Sequence, residues 1–184
     1  MKINKESSIY FVGFFTLVIF GFVLALNFVN INLKDKIKNA KTAEINNILV
    51  NNMQCKNYNK EVLEGKELFY CKNSNLVALR SFSPGYVDKI EYIAVIDITT
   101  NQVKHISIVN HQETPGLGDK IADTAWLETI YNKTFAKLKI KQQNGDIDSF
   151  TAATITPTSF LANLRVNIKW LNKNKEYIKT ITQG

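Results

Sequence analysis

The chain has 184 residues, of which 45% are hydrophobic and 21% are charged, and its formal net charge is +7. This length provides for one membrane segment and one modest domain with its own core. A positive charge can attract nucleic acid or anionic lipid. However, the lysines are scattered and are not interleaved with aromatic residues, and the sequence lacks zinc-finger spacing. We therefore interpret the charge as a solvated basic surface and expect no nucleic-acid partner.

An uncharged apolar segment lies near the N-terminus. No charged residue occurs between residues 7 and 33, and residues 9–26 are almost wholly apolar. About 20 helical residues cross the hydrocarbon core of a membrane. We therefore predict a cytoplasmic N-terminus over residues 1–8 and a transmembrane helix over residues 9–29. A cleaved signal peptide is the alternative, but its apolar region is usually ~7–15 residues long and ends in a small-residue cleavage site.

The charges around this segment favour one orientation by the positive-inside rule. More lysines follow the segment than precede it: Lys2 and Lys5 precede, and Lys34, Lys36, Lys38 and Lys41 follow. Taken alone, this count would place the C-terminal part in the cytoplasm, although long translocated domains often escape the rule.

Residues 30–75 are interpreted as a juxtamembrane helix and a connecting segment. A partial helical stripe of apolar residues continues to about residue 49, and an Asn-rich stretch over residues 51–59 then interrupts it. Cys55 and Cys71 lie in this segment. Two cysteines do not make a zinc site, which needs four ligands. Two alternatives therefore stay open: Cys55 and Cys71 form a disulfide in an oxidising compartment, or they are two unpaired thiols.

Residues 76–174 are predicted to form the main domain, followed by a C-terminal tail over residues 175–184. Alternating β-branched residues predict strands, and apolar residues on one face predict a final helix. The predicted elements are strands over 76–82, 90–98 and 103–109, a helical stretch over 126–135, a short strand over 138–141 and a helix over 157–174. Their order indicates one α+β domain with an antiparallel sheet and flanking helices.

The first informative loop reads HQETPGLGDKI over residues 111–121. Pro115 restricts one φ angle, whereas Gly116 and Gly118 can adopt φ values that other residues avoid. Such a loop can bring backbone N–H groups close to a ligand. It can also be a tight strand-to-helix connection that binds nothing. His111 and His105 lack a third ligand at suitable spacing, so we predict no metal site.

The second informative segment reads DSFTAATITPTSF over residues 148–160. Thr156 is suited to be the N-cap of the final helix, and Pro157 suits its first turn. The unpaired N–H groups at this helix start would favour a phosphate near Thr154. Plain helix capping is the alternative, and it assigns no role to Thr154.

The two segments, in this order and after an apolar anchor, resemble the G subunit of Rnf-type ion-translocating oxidoreductase complexes, which carries an FMN-binding domain. In that family an E-T-P-G-L-G loop precedes a D-x-x-[ST]-G-A-T-x-[ST] segment. Residues 113–118 reproduce the loop. Asp148 and Thr151 align with the second motif, and Thr154 aligns with the threonine that carries the flavin. Ala152 stands where the family has glycine.

The resemblance implies a site and a cofactor. FMN would be bound covalently through a phosphoester to Thr154, with Asp148 recognised by the flavin transferase that attaches it. The other cofactor-binding residues implied are Thr151, Ala153, Thr114, Gly116 and Leu117. Neither a catalytic residue nor a metal ligand is implied.

The resemblance also implies a function and a location. The chain would be an electron-transfer subunit, without independent catalysis, of a complex that couples electron transfer to ion translocation. Its partners would be the other membrane subunits of that complex and, during maturation, the flavin transferase. It would cross the bacterial inner membrane once, with its C-terminal domain in the periplasm. A flavin-free structural or assembly subunit is the alternative. A hydrolase with a Ser or Thr nucleophile is disfavoured because the sequence lacks G-x-S-x-G.

Overall fold

The computed structural model describes residues 5–183. Residues 1–4 of the predicted cytoplasmic N-terminus, and Gly184 of the predicted tail, lie outside the described residues. The described chain separates into two compact units, Met1–Ile45 and Asn46–Gly184.

The first unit consists of the N-terminal part of one long helix. This helix, α1, runs over Lys5–Asn52. Its large apolar side chains between Tyr10 and Ile31 are exposed to a degree that a protein core would not allow. Among the described residues it is the one helix whose length and composition would let it cross a membrane. A helix that is apolar all round needs a nonpolar surrounding, which a bilayer would provide.

The second unit contains a five-stranded antiparallel sheet in the order β1-β2-β3-β4-β5. The strands are β1 Asn59–Leu63, β2 Lys66–Tyr70, β3 Leu76–Pro84, β4 Lys89–Asp97 and β5 Gln102–Asn110. Every neighbouring pair is consecutive in the chain, so the sheet is a simple meander. Together with the helices below, it confirms the predicted α+β class with an antiparallel sheet.

The sheet includes one hairpin that the sequence did not reveal. β1 and β2 lie inside residues 30–75, for which we predict only a helix and a connection, so the sheet begins at Asn59 rather than near residue 76. Glu64 and Gly65 join the two strands, and both have positive φ, of 49° and 77°. Paired positive φ values are typical of the type I′ hairpin turn, which usually carries Asn-Gly or Asp-Gly. Glu-Gly is a weaker signal.

The helices of the second unit lie after the sheet. They are α2 Thr124–Glu128, α3 Ile155–Lys173 and α4 Lys175–Gln183, with short 3₁₀ turns at Gly118–Ala122 and Lys141–Gln143. The predicted helix over 126–135 is therefore wrong after residue 128. The predicted strand over 138–141 is reduced to an isolated bridge between Ile140 and Ile147. The segment predicted as a tail forms the helix α4, which packs on the domain through the fully buried Ile178.

Packing of α3 on β3 fixes the position of the helix start. Phe160, in the second turn of α3, is fully buried, and its ring centroid lies 4.8 Å from that of Tyr92 in β4. Trp126 of α2 contacts the rings of both Phe160 and Phe150. Aromatic pairs at these distances add to the burial energy of each ring. The segment leading into α3 is thus held against the core from both sides.

The structure joins Cys55 and Cys71 in a disulfide that closes a 16-residue separation. Of the two alternatives that the sequence leaves open, the bonded one is observed. The bond connects the segment after α1 to the end of β2, and Cys71 is buried.

Candidate functional site

A cavity of ≈ 260 Å³ lies where three segments of the second unit meet. These are the turn after β3, the loop after β5 and the segment that leads into α3. The lining residues are Tyr86, Glu113, Thr114, Leu117, Gly118, Ala152, Ala153, Thr154, Ile155 and Thr156. The two informative sequence motifs, whose nearest ends Ile121 and Asp148 are 27 residues apart in the chain, therefore form one site.

The loop after β5 folds back on itself beside the cavity. The Leu117 N–H donates to the Thr114 carbonyl at 3.1 Å, and the Asp119 N–H approaches the same oxygen at 3.4 Å. Gly116 makes this tight loop possible because its φ is +78°, a value at which a side chain is strained. Thr114 and Leu117, both predicted site residues, line the cavity, whereas Gly116 supports the loop without lining it.

Glu113 connects the three segments through its carboxylate. Its Oε1 accepts hydrogen bonds from the backbone N–H groups of Tyr86 at 2.9 Å and Val87 at 3.1 Å. Its Oε2 accepts from the Thr156 hydroxyl at 2.5 Å. Only 5% of Glu113 is exposed. The sequence patterns assign no role to Glu113. The available signal was an acidic residue two positions before Pro115-Gly116, shortly after the end of a strand.

Thr154, not Thr156, occupies the N-cap position of α3. The prediction for Thr156 is wrong because its hydroxyl is buried inside the helix start and is bonded to Glu113. Thr154 is exposed, and its side chain makes no capping hydrogen bond. Its carbonyl accepts from the Thr158 hydroxyl at 2.7 Å. Thr154 thus lines the cavity as an exposed residue whose hydroxyl is not used for capping.

A tight turn over residues 150–153 delivers the chain to Thr154. The Ala153 N–H donates to the Phe150 carbonyl at 3.2 Å, and Ala152 has a φ of +62°. The position where the resembling family has glycine is thus left-handed in this chain. Of the two predicted site residues in this segment, Ala153 lines the cavity, whereas Thr151 is exposed on the turn and does not line it.

Asp148 lies outside the cavity. Its side chain is 68% exposed and forms an ion pair with Lys141 at 2.7 Å. Its backbone carbonyl accepts a hydrogen bond from the Trp126 indole at 2.8 Å. The backbone is therefore held to the core while the carboxylate faces solvent.

The two histidines lie apart from the cavity lining. His105 contacts the Ser107 hydroxyl at 2.9 Å and the Tyr131 hydroxyl at 3.3 Å. Burial lowers the pKa of His105, because a desolvated imidazole resists protonation. Within residues 5–183, no group of three or more His, Cys, Asp or Glu side chains could hold a metal ion.

The cavity combines surfaces that suit a phosphorylated aromatic ligand. The lining includes Thr154 at the start of the 19-residue helix α3, where a phosphate would be favoured by the first N–H groups of the helix. It also includes the exposed apolar residues Tyr86, Leu117 and Ile155. The volume is below the ~300–1,000 Å³ typical of sites that enclose a ligand. A ring system bound here would therefore stay partly exposed.

Comparison with known proteins agrees with this chemistry. Residues 85–169 match the family model of the FMN-binding domain, a range that includes every residue lining the cavity. The chain is 36% identical over 110 residues to the G subunit of the ion-translocating oxidoreductase complex of Vibrio vulnificus (strain YJ016), covering 55% of this chain and 52% of that protein. It is 32% identical over 108 residues to the corresponding protein of Shewanella loihica (strain ATCC BAA-1088 / PV-4), covering 54% and 50%.

The chain thus spans about half the length of the curated relatives it matches. The resemblance predicted from the two loops is confirmed at the level of the FMN-binding domain and of relatives that carry the name of the G subunit.

Proposed function

We propose, from the match of residues 85–169 to the FMN-binding domain, that this chain is a membrane-anchored electron-transfer subunit. It would carry FMN through a phosphoester to Thr154 and act in a complex that couples electron transfer to ion translocation. One observation carries the proposal. The exposed Thr154 hydroxyl, free of any capping bond, borders the cavity that the Thr114–Leu117 loop completes.

The residues present fit a tethered flavin mononucleotide. The start of α3 would stabilise the phosphate through its unpaired N–H groups and partial positive charge. Thr114, Leu117 and Ala153 would contact the ring system from the loop and the turn. When bound, FMN supplies one-electron exchange, and the protein orients it and sets its electrostatic surroundings. A partly exposed ring suits a relay, because electrons must enter and leave through the protein surface.

Attachment requires a second protein, a flavin transferase that uses FAD. The Thr154 hydroxyl would lose its proton, and its oxygen would form a bond to the phosphorus of the FMN half. The bond from that phosphorus to the bridging oxygen would break, and AMP would leave. Asp148 is a candidate recognition residue because its carboxylate faces solvent six residues before Thr154. Gly116 and Thr151 would act by shaping the loop and the turn.

We further propose that α1 crosses the bacterial inner membrane once and that the second unit lies in the periplasm. The length and apolar composition of α1 support the anchor. The Cys55–Cys71 disulfide supports an oxidising compartment, because such bonds are rare in the cytosol. The lysines that follow the anchor favour the opposite orientation, but charge rules are weak for large translocated domains. The other membrane subunits of the complex would be the partners.

The flavin-free structural subunit is the second candidate, and Ala152 is the residue that suggests it. Loss of the family's glycine could record the loss of flavinylation. However, Ala152 adopts the left-handed conformation, with φ +62°, so the turn before Thr154 keeps the shape that glycine would give. We therefore favour the flavin-carrying function.

In-gel fluorescence tests this proposal. Membranes from the native host, run on a denaturing gel, should show a fluorescent band at the 20.9 kDa of this chain. Thr154→Val should abolish the fluorescence without changing the amount of protein. Thr154→Ser is the matched control, because it keeps a hydroxyl at the attachment point and should keep a measurable band. A fluorescent Thr154→Val band would refute attachment at this residue.

A further inference from the structure

Glu113 is a buried carboxylate inside the candidate flavin site, and the proposed attachment chemistry does not use it. Its two oxygens receive three hydrogen bonds, from the Tyr86 and Val87 amides and from the Thr156 hydroxyl. These three donors come from the turn after β3 and from the start of α3. Glu113 itself belongs to the loop after β5. One side chain therefore joins all three walls of the cavity.

Two glycines leave the space that this carboxylate occupies. A Cβ atom added to Gly85 would lie 2.3 Å from Glu113 Oε1, and one added to Gly118 would lie 2.4 Å from Glu113 Oε2. Neither glycine has a positive φ, so backbone conformation alone does not require glycine at either position. At Gly118 the close approach of the Glu113 carboxylate does, and at Gly85 the Asp88 carbonyl oxygen, 2.4 Å from the added Cβ, contributes as well.

We propose that Glu113 is the positioning residue of the flavin site. Through Thr156, which follows Thr154 by two residues on α3, it fixes the distance between the attachment hydroxyl and the loop that takes the ring system. Through Tyr86 and Val87 it holds the turn after β3 against the same loop. This inference rests on the proposed function, and it adds a specific role for a residue that does not itself bind the attachment point.

The positioning role depends on hydrogen-bond geometry rather than on the charge of Glu113. A conservative variant that removes the charge and keeps the hydrogen bonds separates these two contributions. In Glu113→Gln, the amide oxygen can still accept from Tyr86 and Val87, while the amide N–H₂ can donate to the Thr156 hydroxyl. All three connections can therefore persist. In Glu113→Ala they are all lost, and the buried Thr156 hydroxyl and the two backbone N–H groups lose their acceptor.

The experiment compares full-length variants purified in detergent from the native host, which supplies FAD and the transferase. The measured quantities are FMN per protein, the visible absorption spectrum, the midpoint potential of the attached flavin and the melting temperature. We expect Glu113→Ala to lower FMN occupancy about tenfold or more, since misplacing a reacting group by about 1 Å can slow a transfer step roughly a hundredfold. The flavin that remains should have a shifted spectrum and potential. Glu113→Gln should restore occupancy to within about threefold of the wild type, because it keeps the same connections.

Gly118→Ala provides an independent test that leaves Glu113 in the sequence. Its methyl group would displace the carboxylate, so occupancy should fall in the wild-type background. It should fall by a smaller factor in the Glu113→Ala background, where the carboxylate is missing and only the Cβ of residue 113 at 3.0 Å and the Thr156 hydroxyl at 3.2 Å stay close to the methyl group. If Glu113→Ala folds poorly, Gly118→Ala is compared with Glu113→Gln: the positioning role predicts that Gly118→Ala loses FMN while Glu113→Gln keeps it, and equal occupancy in the two variants would refute the role.

The possible outcomes separate this inference from the proposed function. A wild-type chain without FMN would refute the proposed function itself. A flavinylated wild type whose Glu113→Ala variant shows equal occupancy and an unchanged spectrum would refute only the positioning role. A lower melting temperature with an unchanged spectrum and potential would show that Glu113 is merely structural, and would also refute it.

Discussion

Replacement of Ala152 by glycine should stabilise this protein. Ala152 has a φ of +62° in the turn before Thr154. An L-residue in the left-handed region costs roughly 1–2 kcal/mol, and glycine avoids this cost. Glycine also loses more conformational entropy on folding, which lowers the free energy of unfolding by about 0.4–1 kcal/mol. The net gain in the free energy of unfolding should be about 0.5–1 kcal/mol. For a chain of this size that corresponds to a melting temperature about 1–4 °C higher.

Thermal unfolding of the full-length chain in detergent, followed by circular dichroism, measures this change. Ala153→Gly is the matched control, because Ala153 is the next residue and lacks positive φ. That variant should be unchanged or less stable, since glycine gains nothing there and adds entropy to the unfolded chain. An Ala152→Gly variant that melts at or below the wild-type temperature would refute the argument from backbone strain. Ala152→Gly should also keep its FMN, since the turn keeps its shape.

Three further changes test the packing and electrostatics of the second unit. Cys55→Ser together with Cys71→Ser should lower the free energy of unfolding by about 3 kcal/mol, as expected for a loop of this length; denaturation with and without reductant measures it, and an unchanged midpoint would contradict it. Glu91→Ala should cost about 1.5–3 kcal/mol, because Arg80 loses its hydrogen bonds to Glu91 but keeps its ion pair with Glu67 at 3.1 Å; a loss below about 0.5 kcal/mol in denaturant titration would be the contrary result. His105→Asn should weaken the loss of stability on acidification. Burial lowers the folded-state pKa of His105, so stability is lost as the pH falls below the unfolded-state pKa of about 6.5. Equal losses of melting temperature between pH 7.5 and pH 5.5 in the wild type and the variant would refute this prediction.

The main strands and the long helices could be predicted because their periodicity is strong. β4 and β5 alternate or run apolar over nine residues each, and α3 carries its apolar residues on one face. The β1–β2 hairpin could not be predicted in this way. Its strands have only five residues each and contain both Lys and Glu. The pairing of β2 with β3 is a tertiary contact, and strands this short have too weak a residue pattern to predict it.

The candidate site was only partly predictable for a different reason. Thr114, Leu117, Ala153 and Thr154 follow from the two loop motifs, and the structure brings them to one cavity. Glu113 could not be identified from spacing, because its partners lie 26, 27 and 43 residues away in the chain. The same contact explains the error at the helix start: Thr156 has the right residue type for an N-cap, but its hydroxyl is committed to Glu113.

The mass of the intact chain, purified without reductant from the membranes of its native host, tests the central claim most directly. The account predicts the mass of the polypeptide plus one FMN less one water, with the added group on the peptide that contains Thr154. An unmodified mass, or FMN located on another residue, would contradict it.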